Sequence, residues 1–199
     1  MWTRQFALPT GVLGRVVGRF MARANATLTR RAVEAVPLAG GETVLEIGCG
    51  PGTGLVLLAT ALPAGRVFGA DPSPVMRAQA TARVRAHPDR VHLVDATADT
   101  LPWQAPTFDV VYAVNSVQLW QPLPASLARV RDALLPGGVL VIGLTEHAVQ
   151  PDGTTVPRDL EHRLVAELQA AGFVDVSTVW ERGGNGEELL ILAHHRLAA

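Results

Sequence analysis

The strongest constraint in this chain is the stretch Val44-Leu45-Glu46-Ile47-Gly48-Cys49-Gly50-Pro51-Gly52-Thr53-Gly54. A short apolar run carrying one acid opens into four alternating glycines, after which Leu55-Val56-Leu57-Leu58-Ala59 continues with no breaker until Pro63. That spacing predicts a strand, a tight turn and a helix. Glycine is needed where the backbone turns through conformations that a side chain would block and where a ligand lies against the main chain. The helix that follows starts with unpaired N–H groups and a partial positive charge, so an anionic group is the expected guest.

The nicotinamide fingerprint Gly-x-Gly-x-x-Gly fails in both registers, because its third glycine would fall on Thr53 or Leu55. Gly48, Gly50 and Gly54 do fit the looser Gly-x-Gly-x-x-x-Gly pattern of some NADP enzymes. What the chain carries in full is Glu46-x-Gly48-x-Gly50-x-Gly52-x-Gly54, which resembles the first nucleotide-loop motif of class I S-adenosylmethionine-dependent methyltransferases of the small bacterial type. The likeness continues in order along the chain. Arg66 to Asp71 is a second strand ending in an acid and followed by Pro72-Ser73-Pro74; Asp95-Ala96 through Leu101-Pro102 is similar to the family's Asp-Ala-x-x-Leu-Pro segment. Thr107 to Asn115 matches its Phe-Asp-x-Val strand, and Leu134-Leu135-Pro136-Gly137-Gly138 matches the turn before a fifth strand. Ala171-Gly172-Phe173 resembles the approach to the sixth.

The fold class this implies is α/β, a Rossmann-like sheet of seven strands, mostly parallel with one antiparallel, and helices on both faces. Residues 1–36 are expected to form an N-terminal helical segment, Val12 to Ala24 and Thr27 to Val36, acting as a lid or packing plainly on the sheet; residues 37–199 are the methyltransferase domain. Helices are also expected at Pro74 to about Ala86, Ala125 to Leu135 and Arg158 to Ala170. The strand Val174 to Glu181 and the strand Glu188 to His194 flank the turn Gly183-Gly184-Asn185-Gly186, a hairpin signal.

Composition removes several chemistries. There is no lysine, all seventeen basic residues being arginine, which excludes Schiff-base lysine catalysis and a Walker-type phosphate loop. A net charge of -1 gives no general attraction to nucleic acid or membranes, so neither is expected as a partner. The single Cys49 rules out an intrachain disulfide and suits a cytoplasmic protein. Six arginines and no acid in the first 33 residues invite a targeting-segment reading, but Val12, Leu13, Val16, Val17, Phe20 and Met21 recur at helical spacing. No His, Asp and Glu cluster stands at metal-ligand spacing, and no metal is expected.

The resemblance implies S-adenosylmethionine as cofactor, S-adenosylhomocysteine as product, and methyl transfer to a small-molecule acceptor at O, N or C. The alternative is a cofactor-binding module, or an enzyme of this fold with another reaction. Carried onto this sequence, the cofactor residues are Glu46, Gly48, Cys49, Gly50, Gly52, Thr53, Asp71, Pro72, Asp95, Ala96 and Asn115. Gly48 to Gly52 would face the methionine carboxylate and amino groups, with Thr53 adding its hydroxyl. Glu46 would either fix the loop or touch the amino group, Asp71 would take the ribose or cap a helix, and Asp95 and Ala96 would read the adenine or make a turn. The Asn115 carbonyl would face the amino group. Met21, Asn25, Gln118 and Trp120 are the candidate acceptor pocket. His147 and Glu146, just past the fifth strand, are the candidate bases, with a structural role as the other reading.

Overall fold

A computed structural model describes residues 25–148, 159–184 and 186–197. The first expected helix, Met21, the loop Val149 to Pro157 and Asn185 lie outside the described residues. The elements in chain order are α1 (Ala26–Glu34), β1 (Thr43–Ile47), α2 (Thr53–Ala61), β2 (Arg66–Ala70), α3 (Pro74–Arg83), β3 (Val91–Val94), β4 (Phe108–Val114), α4 (Leu123–Ala133), β5 (Leu134–Thr145), α5 (Leu160–Ala170), β6 (Phe173–Gly183) and β7 (Gly186–His195). Short 3-10 turns at Ala98–Thr100 and Val117–Leu119 flank β4.

One seven-stranded sheet runs in the order β3-β2-β1-β4-β5-β7-β6. Strands β1 to β5 pair in parallel, while β7 is antiparallel to both β5 and β6. This is the expected Rossmann-like sheet with one reversed strand. Parallel strands buried on both faces read as continuous apolar runs, and β4 shows why: Val110 and Tyr112 face the layer of α1, α2 and α3, while Val111 and Ala113 face the layer of α4 and α5. Chain order reverses between β1 and β4, so the carboxyl ends of those two strands flank a crevice where ligands bind in open α/β sheets.

Local chemistry sets the element ends. Ser73 caps α3 by accepting from the Met76 N–H at 3.3 Å, and Pro74 opens the helix. Pro136-Gly137-Gly138, expected as a turn before β5, instead lies inside it. There the register jumps from Phe108↔Leu134 to Val110↔Val139. With Gly137 at φ 82, the extra residues loop out of the ladder while pairing resumes on each side. A similar bulge at Asp175, φ 49, kinks the edge strand β6 between Val174 and Ser177.

An aromatic cluster anchors the α4 face. Phe108, fully buried, meets Trp103 edge-on at 4.8 Å and Phe68 at 5.6 Å between ring centroids. Phe108→Ala is expected to cost about 3–5 kcal/mol. Urea unfolding measures it; a loss under about 1 kcal/mol would show that these rings close over the gap.

Candidate active site

At the carboxyl ends of β1 and β4 lies a shallow cleft that opens to solvent. Its floor is the glycine loop with Glu46, its far wall Val114 and Asn115, and its near wall Asn25 and Thr29 from the start of α1. The structure thus brings together Asn25, Glu46, Gly48, Cys49, Gly50, Thr53 and Asn115 from the sequence reading, and adds Thr29, Pro51, Gly54 and Val114.

The loop is held from beneath by the end of β2. The Ala70 carbonyl accepts from Gly48 N–H at 2.8 Å and Cys49 N–H at 3.1 Å. One carboxylate oxygen of Asp71 accepts from Gly50 N–H and the other from Ser73 N–H, both at 2.8 Å. Gly52 N–H turns back to the Cys49 carbonyl at 3.0 Å. These loop amides are therefore used inside the protein. The donors without an intrahelical acceptor are those of the first turn of α2, Thr53 and Gly54 among them. Gly52, at φ 82, sits under α3 so closely that a Cβ would lie 2.9 Å from the Ala80 Cα.

Glu46 is 5% exposed and stands between Leu45 and Ile47 on the α2 face of the sheet. Its carboxylate occupies the space where Gly54 lacks a side chain and accepts the Leu55 N–H, while Oε2 has no hydrogen-bond partner among the described residues. Loss of water around it, followed by the charge of Asp71, pushes its pKa up to about 8. Asp71 is raised too, chiefly by burial, against the lowering effect of its two backbone donors. Burial also pushes the Cys49 thiol well up, so that residue is an inert part of the loop wall.

Several of the expected residues already have partners within the protein, and others stand away from the cleft. Thr53 Oγ1 accepts from Arg83 at 2.8 Å. The Asn115 carbonyl accepts from Gln118 Nε2 at 2.9 Å, and Asn115 Oδ1 accepts from Thr145 N–H at 2.9 Å. Asp95 is 68% exposed and ion-paired at 2.7 Å with Arg77, whose other nitrogen donates to the Asp71 carbonyl. Ala96 is buried and Pro72 exposed at the end of β2. Trp120 is buried in the α4-side core rather than on the cleft wall. Glu146 accepts the Glu187 N–H at 3.2 Å and fastens the β6–β7 hairpin, and His147 beside it is 69% exposed. Neither lines the cleft. Among the described residues no group of three or more His, Cys, Asp or Glu side chains is placed to hold a metal ion, and no helix is long and apolar enough to cross a membrane.

Three contributors were not singled out from sequence. Thr29 lies one helical turn beyond Asn25, and that spacing was the available signal. Ser116 donates to the Ile47 carbonyl at 2.7 Å, tying β4 to β1 under the loop, and Arg77 bridges Asp71 to Asp95. Both depend on sheet order, which no local pattern encodes.

A protein family described as "Methyltransferase domain" matches residues 44–138, from the glycine strand to the Pro-Gly-Gly bulge. Over that span the chain matches a methyltransferase domain, and its relatives and its fold are those of class I S-adenosylmethionine-dependent methyltransferases. It is 28% identical to YdaC, an uncharacterised methyltransferase of Bacillus subtilis, over 81% of this chain and 87% of the relative. It is 35% identical to a trans-aconitate 2-methyltransferase of Methylobacterium radiotolerans over 69% of this chain, and the match covers 47% of that relative, about half its length. In fold, the [4+2]-cyclase SpnF superposes with a TM-score of 0.72 at 21% identity, covering 86% of this chain and 81% of that one. The methyltransferase sheet thus accounts for the order of landmarks seen in the sequence.

The buried acid of this methyltransferase gives a pH test. A carboxyl whose folded pKa lies above its unfolded value keeps its proton in the native state while the unfolded chain loses it. The stability owed to neutral Glu46 is therefore complete below pH 4.5 and is lost as pH rises to about 8. Glu46→Gln is expected to gain stability over the wild type progressively across that window, by at most about 1.4 kcal/mol per pH unit. Paired urea titrations measure it; a difference constant with pH would show that Glu46 is ionised throughout.

Proposed function

We propose that this protein transfers a methyl group from S-adenosylmethionine to a small-molecule acceptor. The observation that carries the reading is the cleft itself: a buried acid with an unpartnered oxygen beneath a glycine loop, at the crevice where chain order reverses between β1 and β4. An adenosyl sulfonium with an amino-acid tail fits that donor set, since it brings positive charge to Glu46 and a carboxylate to the start of α2. When bound, the cofactor supplies an electrophilic methyl group and leaves as S-adenosylhomocysteine.

The chain's own residues hold and align. The first turn of α2 receives the carboxylate, and Glu46 faces the amino group. Each Asp71 oxygen already accepts one backbone N–H and keeps a further lone pair for a ribose hydroxyl. Asp95, on its exposed bridge to Arg77, serves the adenine edge by reorienting. Asn25 and Thr29 close the cleft from the α1 side. Alignment of nucleophile, methyl and leaving group is the main contribution, since the displacement needs little else from protein.

Among the described residues lining the cleft there is no histidine, which favours an acceptor that is already nucleophilic. A carboxylate oxygen, ionised at neutral pH, meets that requirement. The trans-aconitate 2-methyltransferase relatives support starting with small carboxylic acids.

Isothermal titration with S-adenosylmethionine, S-adenosylhomocysteine and NADPH is expected to give binding of the two sulfur ligands and none of the third. Transfer of labelled methyl from the cofactor to trans-aconitate, other di- and tricarboxylates and a set of amines then identifies the acceptor class. Binding without transfer to any acceptor would move the reading to a cofactor-binding module or to another reaction on this fold. The Gly50 Cβ position has only the Gly48 carbonyl oxygen, at 4.0 Å, within reach. Gly50 also sits at φ 52, a left-handed conformation that a β-branched residue strains, so Gly50→Val distorts the loop as well as adding bulk beside the cleft, and affinity for S-adenosylhomocysteine should fall by tenfold or more, roughly 1.4 kcal/mol. Unchanged affinity would remove the loop from the site.

A further inference from the structure

Arg31, on the flank of α1 away from the cleft, donates to Glu188 Oε2 at 2.7 Å and also engages Glu181. Glu188 is 1% exposed at the start of β7, and its carboxylate lies where Gly183 has no side chain; any Cβ there would overlap it. Its second oxygen has no hydrogen-bond partner among the described residues. A buried carboxylate held by one arginine is an expensive arrangement, and breaking it leaves an uncompensated charge. The remainder of α1 is anchored less specifically, by Leu28 over Gly143 and by Ala32 in the core. The same helix brings Asn25 and Thr29 to the cleft wall.

Glu188 also stands opposite Thr145 in the β5–β7 ladder, and Thr145 donates to the Asn115 side chain on the other wall of the cleft. Both walls are thus referred to one strand pair. We propose that the Arg31–Glu188 ion pair sets α1 over the cofactor cleft, making Arg31 a positioning residue for the bound cofactor. The proposal rests on the methyltransferase reading above for the identity of the ligand, but not for the anchoring of α1. The glycine at position 183 supports it, because that vacancy houses the carboxylate which draws Arg31 inward. Among the described residues the Arg31 side chain bonds to Glu181 and Glu188, neither of which lines the cleft, so its effect on the ligand passes through the helix.

Arg31→Met alone strands the Glu188 charge and tests folding more than position. The double variant Arg31→Met/Glu188→Gln removes both charges together and is the informative protein; Arg31→Lys keeps the charge and is expected to restore part of the effect. Two readouts apply to each: the Kd for S-adenosylhomocysteine by titration calorimetry, and amide hydrogen exchange across the chain. In the double variant, Kd should rise about tenfold, within the range by which coupled sites alter one another's affinity. Exchange should quicken over residues 26–34 while β1 and β4 stay protected. Unchanged Kd with unchanged exchange in α1 overturns the proposal, and so does a rise in exchange spread evenly over the sheet, which marks general destabilisation. A folded wild type that fails to bind S-adenosylhomocysteine sinks the cofactor reading instead, and the exchange comparison then decides the clamp by itself.

Discussion

The site depends on how the end of β2 grips the glycine loop. One carbonyl, that of Ala70, and one carboxylate, that of Asp71, take the amides of Gly48, Cys49 and Gly50. A loop of alternating glycines has large conformational entropy to lose. These bonds hold it in one shape, and they exist because β1 and β2 are parallel neighbours with Ile47 opposite Ala70. The second Asp71 oxygen reaches Ser73 and steadies the entry to α3, so one acid joins the loop, the strand end and a helix start.

Burial is the cost of that arrangement. The charge of Asp71 adds to the rise in the Glu46 pKa, and each acid is removed from water. Backbone donors offset the cost for Asp71. Glu46 has the Leu55 amide and an oxygen with no partner. An acid kept short of partners in a cleft is a common sign of a functional group, and a cationic ligand is the species that would complete its environment. Gly54, which reads in the sequence as one more loop glycine, acquires a distinct purpose here: its missing side chain makes room for the carboxylate.

The far end of the sheet contributes at a distance. The β6–β7 hairpin, fastened by Glu146 and carrying Glu188, reaches α1 through Arg31. Residues about 150 positions apart in the chain therefore meet, and the wall of the cleft is bound to the strand that reverses direction. Glu146, a candidate base from its position past β5 with a structural role as the other reading, accepts a backbone amide of β7 here. The reason is that β7 pairs antiparallel with β5 and brings the Glu187 amide to it.

What the sequence determined by itself was everything written in local periodicity and turn chemistry. The limits of β1 at Thr43 and Ile47, the Pro74 start of α3 and the glycine hairpin before β7 follow from runs of a few residues. The ordered landmarks from Glu46 to Phe173 carried the family as well. Tertiary structure alone decided which polar groups meet. Thr53 with Arg83, Asp95 with Arg77, Asn115 with Thr145, Trp120 in the core and Arg31 on Glu188 all join different elements. Those pairings follow from the strand order and from which helix packs on which face. Such contacts are set by distance through space between segments far apart in the chain, and a linear pattern holds no record of that distance.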